Sequence, residues 1–444
     1  MFAVPALLLL LVVVYQLRQG LTVFVVRFAD PSFAGPAVII VVLLGAWRLG
    51  SLLHAFKSGA QPKTRRIFDR AALAALAAVI VLSHAGASYY LAVTYDTDNQ
   101  VFGPQPGDSF DLTTNPPTAG QSLIAGTSLT PGTTATPGST ATPGSTSTPS
   151  ADGRVTMIFL GMDAAPSTGI SARMDKHYDS IMVVSYDPKD NSIQMVSVPR
   201  EFAGYPLFYG GNDRPVENHE ITYLAKNVDN GYVSSPYKSG DTTLFKEVQY
   251  LVGVHIDYST IMNLNQFENV IDAIGGVDVV NPETISSPTF NMLNGKYGFY
   301  LAAGPQHLNG LMAMAYARDR FTSNGDYGRL DREQQIMTAL LKKYSSPSAM
   351  LNLAMNYPDI MSKVGKSINT TFPAGQLPDF VAKGENVLSS GTITNVVLGP
   401  PYVTNIVGNV SKCPVMSKIA AESIALFGAD SLWNGQPVPQ SVCS

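Results

Sequence analysis

Charged residues and cysteines are both scarce in this sequence of 444 residues. Asp, Glu, Lys and Arg make up 14% of it and the net charge is −4, so no broad basic surface attracts nucleic acid. The two cysteines, Cys413 and Cys443, form no CxxC pair, which argues against a structural zinc site. In an oxidising compartment the pair could form a disulfide, but the sequence leaves free thiols equally open.

Apolar residues, 45% of the chain, are concentrated before residue 95. They form three runs, at residues 2–15, 33–47 and 71–93. A helix needs about 20 apolar residues to cross a bilayer, so only the third run is long enough without flanking residues. A signal peptide would account for the first run but not for the other two. We therefore predict that residues 1–95 are a membrane anchor with up to three transmembrane helices.

The distribution of basic residues predicts the orientation of this anchor. Between the second and third runs lie five of them: Lys57, Lys63, Arg65, Arg66 and Arg70. Loops rich in Lys and Arg stay in the cytoplasm, so the third helix leads outward. The chain is therefore expected in the cell membrane with an extracytoplasmic C-terminal domain.

A segment with few features of a fold follows the anchor. Residues 112–151 contain no charged residue, and Thr-Pro-Gly recurs at Thr130, Thr136 and Thr142. Such a composition cannot bury enough apolar surface to offset the entropy lost on ordering. Residues 96–153 are therefore predicted to be a disordered tether rich in Thr, Pro, Gly and Ser.

Alternating strand and helix patterns begin at residue 154. Short apolar runs at 155–160, 180–186 and 192–198 predict strands, and the Asp-Pro-Lys-Asp-Asn turn predicts that the last two form a hairpin. Further patterns predict strands at 277–280 and 392–398 and helices at 244–252, 264–274, 308–317, 329–344, 349–364 and 414–427. The class is α/β, a sheet covered by helices on both faces over residues 154–400. Residues 401–444 either complete this domain or form a small tail.

Polar residues capable of phosphate chemistry gather at the ends of these elements. Asp163, Asp179 and Arg200 each adjoin a strand, and the stretch from Arg318 through Gln334 adds Arg320, Asp326 and Arg329. Guanidinium groups match phosphate oxygens in pairs, and two aspartates could hold Mg²⁺ together with substrate phosphates. The alternative is that these arginines form surface ion pairs with Asp319, Asp331 and Glu333.

Six stretches resemble the LytR-CpsA-Psr family. They are IFLGMD (158–163), YDSIMVVSYDP (178–188), IQMVSVPRE (193–201), IDAIGGVDV (271–279), GPQHLNGLMAMAYARDR (304–320) and GDYGRLDREQQ (325–335). The resemblance implies a three-layer α/β/α domain with a central mixed sheet. It also implies transfer of a glycopolymer from a polyprenyl-pyrophosphate carrier to peptidoglycan at the membrane.

The resemblance assigns roles to individual residues. Asp163 and Asp179 match the positions expected to coordinate Mg²⁺, and Arg200, Arg318 and Arg320 match the pyrophosphate-binding arginines. Gln334 matches a polar residue of the same site, and Arg329 and Asp326 belong to a motif beside it.

Two positions depart from the family pattern. His177 stands where an arginine is common and Glu220 where a lysine is usual, so each removes a positive charge. His177 could still donate a hydrogen bond, and Arg173, in an enlarged loop, could replace the lost charge. These departures keep two alternatives open: a pyrophosphatase acting on the same lipid, and a non-catalytic envelope regulator that binds isoprenoid phosphates.

Overall fold

A computed structural model describes the anchor region and most of the C-terminal domain. The described residues are 31–58, 66–102, 153–162, 177–209, 216–217, 219–237, 239–264, 267–292, 296–322, 324–344, 360, 365, 368–406 and 411–441. Asp163, Arg173, the first apolar run, nearly all of the predicted helix at 349–364 and most of the predicted tether lie outside these residues.

Two helices, α1 (Pro31–Ser58) and α2 (Arg66–Phe102), cover the second and third apolar runs. Each contains a segment long and apolar enough to cross a membrane, Ser32–Lys57 in α1 and Arg70–Asp96 in α2. The two helices pack against each other, with Gly45 of α1 so close to His84 of α2 that a larger side chain would collide with the imidazole. The helical prediction for these two runs is confirmed.

A six-stranded mixed sheet forms the centre of the C-terminal domain. Its strands, in spatial order, are β11 (Ile368–Thr370), β6 (Tyr258–Asn263), β1 (Val155–Met162), β2 (Tyr178–Asp187), β3 (Ser192–Ser197) and β12 (Thr392–Val397). The pairs β1–β6 and β3–β12 are parallel and the other neighbours are antiparallel. The predicted β2–β3 hairpin is confirmed, and Asn191 in its turn adopts φ 53°, which asparagine tolerates better than most residues.

Shorter strands pair outside this sheet. They are β4 (Tyr205–Pro206) with β5 (Val216–Glu217), β7 (Val277–Asn281) with β10 (Gly304–Leu308), β8 (Ile285–Asn291) with β9 (Tyr297–Leu301), and β13 (Val403–Asn405) with β14 (Lys412–Pro414). The remaining helices are α3 (Leu224–Asp229), α4 (Gly240–Val252), α5 (Phe267–Ala273), α6 (Gly310–Arg318), α7 (Gly325–Tyr344), α8 (Leu377–Ser390) and α9 (Met416–Phe427).

Alternation along the strands divides the core between the two faces of the sheet. On one face Ile181 and Val183 pack in a cluster with Phe245 of α4 and Ile419 of α9. On the other face Met182 and Val184 belong to a cluster with Val387 of α8, against which Met337 of α7 packs. The predicted helix, sheet and helix layers are therefore present.

The C-terminal segment and the anchor both join the domain. Cys413, in β14, is disulfide-bonded, and Cys443, the chain's other cysteine, lies outside the described residues. Helix α2 contacts β11, the edge strand that pairs with β6. The anchor therefore meets the sheet at its β11 edge.

Candidate functional site

A cavity of about 500 Å³ lies between the sheet and helices α6 and α7. Its apolar lining comes from strands, helices and loops: Phe159, Leu160, Met182, Met262, Leu264, Phe267, Phe290, Met314, Ala317, Ile336, Met337 and Leu340. Its charged lining is Asp179, Arg200, Arg318, Arg320, Arg329 and Glu333. Along α7 the charged residues come before the apolar ones, so one end of the cavity is charged and the other apolar.

The hairpin brings the first two predicted residues together. Asp179 is the second residue of β2 and Arg200 follows β3, and in an antiparallel pair the start of one strand lies beside the end of its neighbour. Arg200 donates a hydrogen bond to the Asp179 carboxylate. The Arg200 side chain is still 25% exposed, so the guanidinium can reach a ligand in the cavity.

Two more predicted arginines come from the end of α6. Arg318 is its last residue, a position at which a cation is favoured by the helix dipole. Arg320 follows, with Nε 2.9 Å from Oδ1 of Asp326, and its side chain is 44% exposed. The Asp326 carboxylate therefore fixes the direction of Arg320 without covering it.

Arg329 lies in the same cavity but is engaged by the protein. It donates to both oxygens of Asp326, to the Asp179 backbone oxygen at 2.9 Å and to Oε1 of Glu333 at 2.6 Å. These four bonds use four of the five N–H groups of a guanidinium, and the side chain is only 4% exposed. The geometry makes Arg329 the residue that holds α7 against β2 and orients Asp326.

The charges around the cavity shift one another. Burial alone would raise the pKa of the Asp326 carboxyl, but Arg329 and Arg320 outweigh it and the pKa lies below its usual value. Burial, followed by the Asp326 charge, raises the pKa of Glu201. Burial and the neighbouring Arg200 lower the pKa of Arg320.

The charges nearly balance before any ligand binds. Among the described residues, four arginines meet four carboxylates, those of Asp179, Glu201, Asp326 and Glu333. A bound diphosphate would therefore be better compensated by a further cation, such as a divalent metal ion.

Few of the described side chains are placed to bind such a cation, and this suits Mg²⁺, which needs few protein ligands. The described residues contain no group of three His, Cys, Asp or Glu side chains placed to hold a metal. Mg²⁺ is usually bound by one or two carboxylates, with substrate phosphates and water as the other ligands. Asp179 provides one carboxylate in the cavity, and Asp163 lies outside the described residues.

Three residues singled out in the sequence lie away from this cavity. Gln334 is 1% exposed, and its Nε2 donates to Ser197 Oγ and to the Val396 backbone oxygen, both at 2.9 Å. It holds α7 to the sheet and does not line the charged cavity. His177 packs edge-on against Tyr223 with ring centroids 4.5 Å apart, and Glu220 accepts a hydrogen bond from Ser411.

The sequence named Glu333 only as an ion-pair partner in the alternative interpretation, and its pair with Arg329 is present in the cavity. Glu333 accepts hydrogen bonds from Arg329 and from Ser180 Oγ, the latter at 2.6 Å. It stands four residues after Arg329 in α7, so helical periodicity could have placed it on the same face. The apolar walls come from segments too far apart in sequence for a local pattern to reveal.

The site thus combines arginines at one end of an apolar cavity with a three-layer α/β/α domain. The LytR_cpsA_psr family model matches residues 130–409, more than half of the chain. The chain belongs to the LytR_cpsA_psr family.

Named relatives agree with this membership. The polyisoprenyl-teichoic acid–peptidoglycan teichoic acid transferase TagU of Bacillus mycoides is 30% identical over 213 residues, which are 48% of this chain and 60% of that protein. TagV of Bacillus subtilis, named in the same way, is 29% identical over 216 residues, 48% of this chain and 49% of that protein. The chain thus spans between half and three fifths of the relatives it matches.

Solved structures of the family are also similar. The crystal structure of Bacillus subtilis TagV covers 62% of this chain and 95% of that chain, with 23% identity and a TM-score of 0.46. The structure described as TagT bound to LI-WTA covers 62% of this chain and 89% of that chain, with 20% identity and a TM-score of 0.43.

Proposed function

We propose that this chain is a phosphotransferase that moves a glycopolymer from a polyprenyl-pyrophosphate carrier to peptidoglycan. The observation that carries the proposal is the single cavity that joins an apolar wall to accessible arginines. A polyprenyl pyrophosphate has the same division, a long apolar tail beside two phosphates. The names of TagU and TagV, which describe teichoic acid transfer to peptidoglycan, support the same reaction class.

Different residues bind the two parts of the proposed substrate. The tail lies against the apolar lining contributed by β1, β2, β6, α6 and α7. Arg200, Arg318 and Arg320 bind the pyrophosphate oxygens, for which their planar forks are suited. Asp326 and Arg329 position Arg320 and the start of α7.

Asp163 and Asp179 are proposed to hold Mg²⁺. The ion would supply positive charge at the pyrophosphate, where the arginines are already offset by carboxylates.

In the proposed reaction a peptidoglycan hydroxyl attacks the phosphorus next to the sugar. The new oxygen–phosphorus bond forms as the bond to the bridging oxygen breaks, and polyprenyl phosphate leaves with the electron pair. The hydroxyl proton passes to solvent or to the departing phosphate. The arginines stabilise the negative charge that collects on the phosphoryl oxygens during the transfer.

The two apolar helices support anchoring of this activity to a membrane. With the basic segment before α2 in the cytoplasm, the domain after α2 is extracytoplasmic. The carrier lipid and the cell wall are then both within its reach.

The test uses the full chain in detergent or vesicles, a radiolabelled lipid-linked glycan, peptidoglycan and Mg²⁺. We expect label to enter peptidoglycan, Arg200→Ala to abolish most of the transfer, and Lys418→Ala, an exposed change on α9, to leave it intact. Absence of label in peptidoglycan contradicts the proposal.

The other outcomes identify the alternatives. Release of phosphorylated glycan without an acceptor would indicate a pyrophosphatase. Tight lipid binding without turnover would indicate a regulator that binds isoprenoid phosphates.

A further inference from the structure

A second cavity, of about 200 Å³, lies on the other side of helix α7. Arg329 and Glu333 line the first cavity, whereas Gly328 and Asp331 line the second. The other walls of the second cavity come from the end of β7, the turn after it, the residue before α7 and the edge strand β12. Six polar side chains line it besides those of Arg332 and Gln334: Asn281, Glu283, Asn324, Asp331, Gln335 and Asn395.

Part of this lining has a structural role already. Arg332 donates from Nε to the Tyr316 backbone oxygen at 2.7 Å, and its other nitrogens bond to Thr322 and to the Asp319 backbone. Gln334 bonds to β3 and β12 as described above. Gln335 accepts a hydrogen bond from the Tyr316 hydroxyl at 2.8 Å. These residues explain why the cavity has a fixed shape.

The rest of the lining has hydrogen-bonding groups to spare. Asn281 is 1% exposed, and its Nδ2 donates to the Leu301 and Ala302 backbone oxygens, but its Oδ1 has no partner within the described residues. The side chains of Asn324, Asp331 and Asn395 are exposed and make no hydrogen bond within the described part of the chain, so a ligand can reach them. A buried acceptor without a partner, such as Asn281 Oδ1, is rare in folded proteins, since it loses its water without replacement.

The chemistry of this cavity differs from that of a phosphate site. Its guanidinium, on Arg332, is committed to backbone and hydroxyl oxygens, and Glu283 and Asp331 add negative charge. The amides both accept and donate hydrogen bonds and the carboxylates accept them, which suits a ligand with many hydroxyl and amide groups and no phosphate. N-acetylated sugars have those groups.

We propose that the second cavity binds sugar units of a glycan chain whose reacting unit lies at the first cavity. This inference rests on the proposed function, because a transferase between polymers must hold units on either side of the reacting group. A helix with its side chains is about 10 Å across, so a ligand in the second cavity is a neighbouring unit and not the reacting one.

The condition of Asp331 supports a binding role. Burial raises the pKa of its carboxyl, and the attraction of Arg332 only partly offsets this. The carboxyl is nevertheless exposed, so a ligand in the cavity can reach it.

The test measures binding to the full chain in detergent micelles by isothermal titration calorimetry. One probe is a peptidoglycan tetrasaccharide of alternating N-acetylglucosamine and N-acetylmuramic acid. The other is a tetramer of N-acetylglucosamine, which carries the same hydroxyl and acetamide groups without phosphate and stands for sugar units of a donor glycan. Asn395→Ala and Asp331→Asn are compared with matched exposed changes elsewhere, Asn434→Ala and Asp379→Asn.

Loss of one hydrogen bond should weaken binding about fivefold in each cavity variant and leave each control within about twofold of the parent. A loss for the tetrasaccharide assigns the cavity to the acceptor, and a loss for the tetramer assigns it to the donor glycan. Affinities unchanged for both probes overturn the proposal. Melting temperatures verify folding, and Asn324→Ala replaces any variant that unfolds.

The same variants separate this inference from the proposed function. If the parent chain shows no transfer but the cavity variants lose tetrasaccharide affinity, the transferase assignment fails and the sugar site stands. If transfer is present, the variants should raise the KM for whichever glycan the binding test assigns to the cavity, while kcat stays close to that of the parent.

Discussion

The two cavities share helix α7 but are lined in opposite ways. The first combines a long apolar wall with arginines, of which Arg200 and Arg320 stay partly exposed. The second has amides and carboxylates, and its arginine is fully committed to the fold. One helix can thus present two kinds of ligand chemistry, because residues three or four apart share a face and those between them point elsewhere.

Two aspartates on α7 show the difference most clearly. Asp326 bonds to two arginines and its carboxyl has a lowered pKa. Asp331 makes no hydrogen bond among the described residues and its carboxyl has a raised pKa. The fold therefore favours the charged form of Asp326, whereas it disfavours the charged form of Asp331.

The largest effect is expected from the exposed arginine of the first cavity. Arg320→Ala should lower the transfer rate by about 10² to 10³, the range for loss of a donor to a reacting anion. Arg320→Lys should restore only part of it, since an ammonium cannot make paired contacts. Initial rates with labelled lipid-linked glycan measure both. A rate within twofold of the parent for Arg320→Ala would remove the distinction between exposed and committed arginines.

Arg332, the committed arginine, should affect folding first. Arg332→Met leaves the buried Tyr316 and Asp319 backbone oxygens without this donor, which should cost about 2 to 4 kcal/mol of unfolding free energy. Urea unfolding of the full chain in detergent measures this. Arg320→Met is the matched control, and we expect it to change stability by less than about 1 kcal/mol because that side chain is 44% exposed and its ion pair is open to solvent. Equal losses for the two variants would contradict this account.

The apolar wall should govern affinity for the lipid tail. Leu340→Ser removes one apolar side chain from the first cavity and should weaken binding of polyprenyl phosphate about tenfold. Ile424→Ser, at a 40% exposed position on α9, is the control. The length of the lipid tail sharpens the test. For a polyprenyl phosphate whose tail is too short to reach Leu340, the substitution should weaken binding less.

The smallest expected effect is on stability as a function of pH, for which Asp326 and Asp331 should behave in opposite ways. Asp326 has a folded pKa below the unfolded value of 3.8, so its stabilisation is present above that value and is lost as the pH falls through the lower folded pKa. Asp326→Asn should therefore destabilise by about 1 to 2 kcal/mol at pH 7, and by less in acid.

Asp331 has the reverse sign. Its folded pKa lies above 3.8, so its ionisation penalty is absent below that value and grows as the pH rises through the folded pKa. Asp331→Asn should stabilise slightly at pH 7, by less than about 0.5 kcal/mol after solvent screening, and the gain should vanish in acid. Melting temperatures between pH 3.5 and pH 7, chosen to bracket the value of 3.8, measure both variants. Shifts of the same sign would refute the contrast.

The sequence predicted the sheet's first three strands, the hairpin and helix α7, because their apolar patterns are strong and local. It did not predict β6, whose sequence YSTIMN is short and half polar, or β8, which contains Pro288. The helix predicted for residues 244–252 begins earlier, at Gly240, because Ser239 caps it through a bond from the Thr242 amide.

The candidate site was predictable only in part. The strand ends and the AYARDR and GRLDREQQ stretches pointed to the arginines that line the first cavity, but not to which of them the protein itself occupies. Arg329 and Arg320 have the same side chain, and only tertiary contacts make one buried and the other accessible. Gln334 was placed at the site by resemblance, yet it stands five residues after Arg329 and so faces the sheet.

The contact between α2 and strand β11 has a consequence for how the proposed carrier lipid would reach the first cavity. Thr370 of β11 lies 2.9 Å, oxygen to oxygen, from Thr260 of β6, a residue that lines the first cavity. Neighbouring strands are about 4.8 Å apart, so little more than two strands separate the helix from the cavity. Each methylene left in water would cost about 0.8 kcal/mol during desorption from a bilayer. In the proposed function, the short path from the membrane to the cavity keeps that barrier low, and a longer path should slow capture of the carrier lipid.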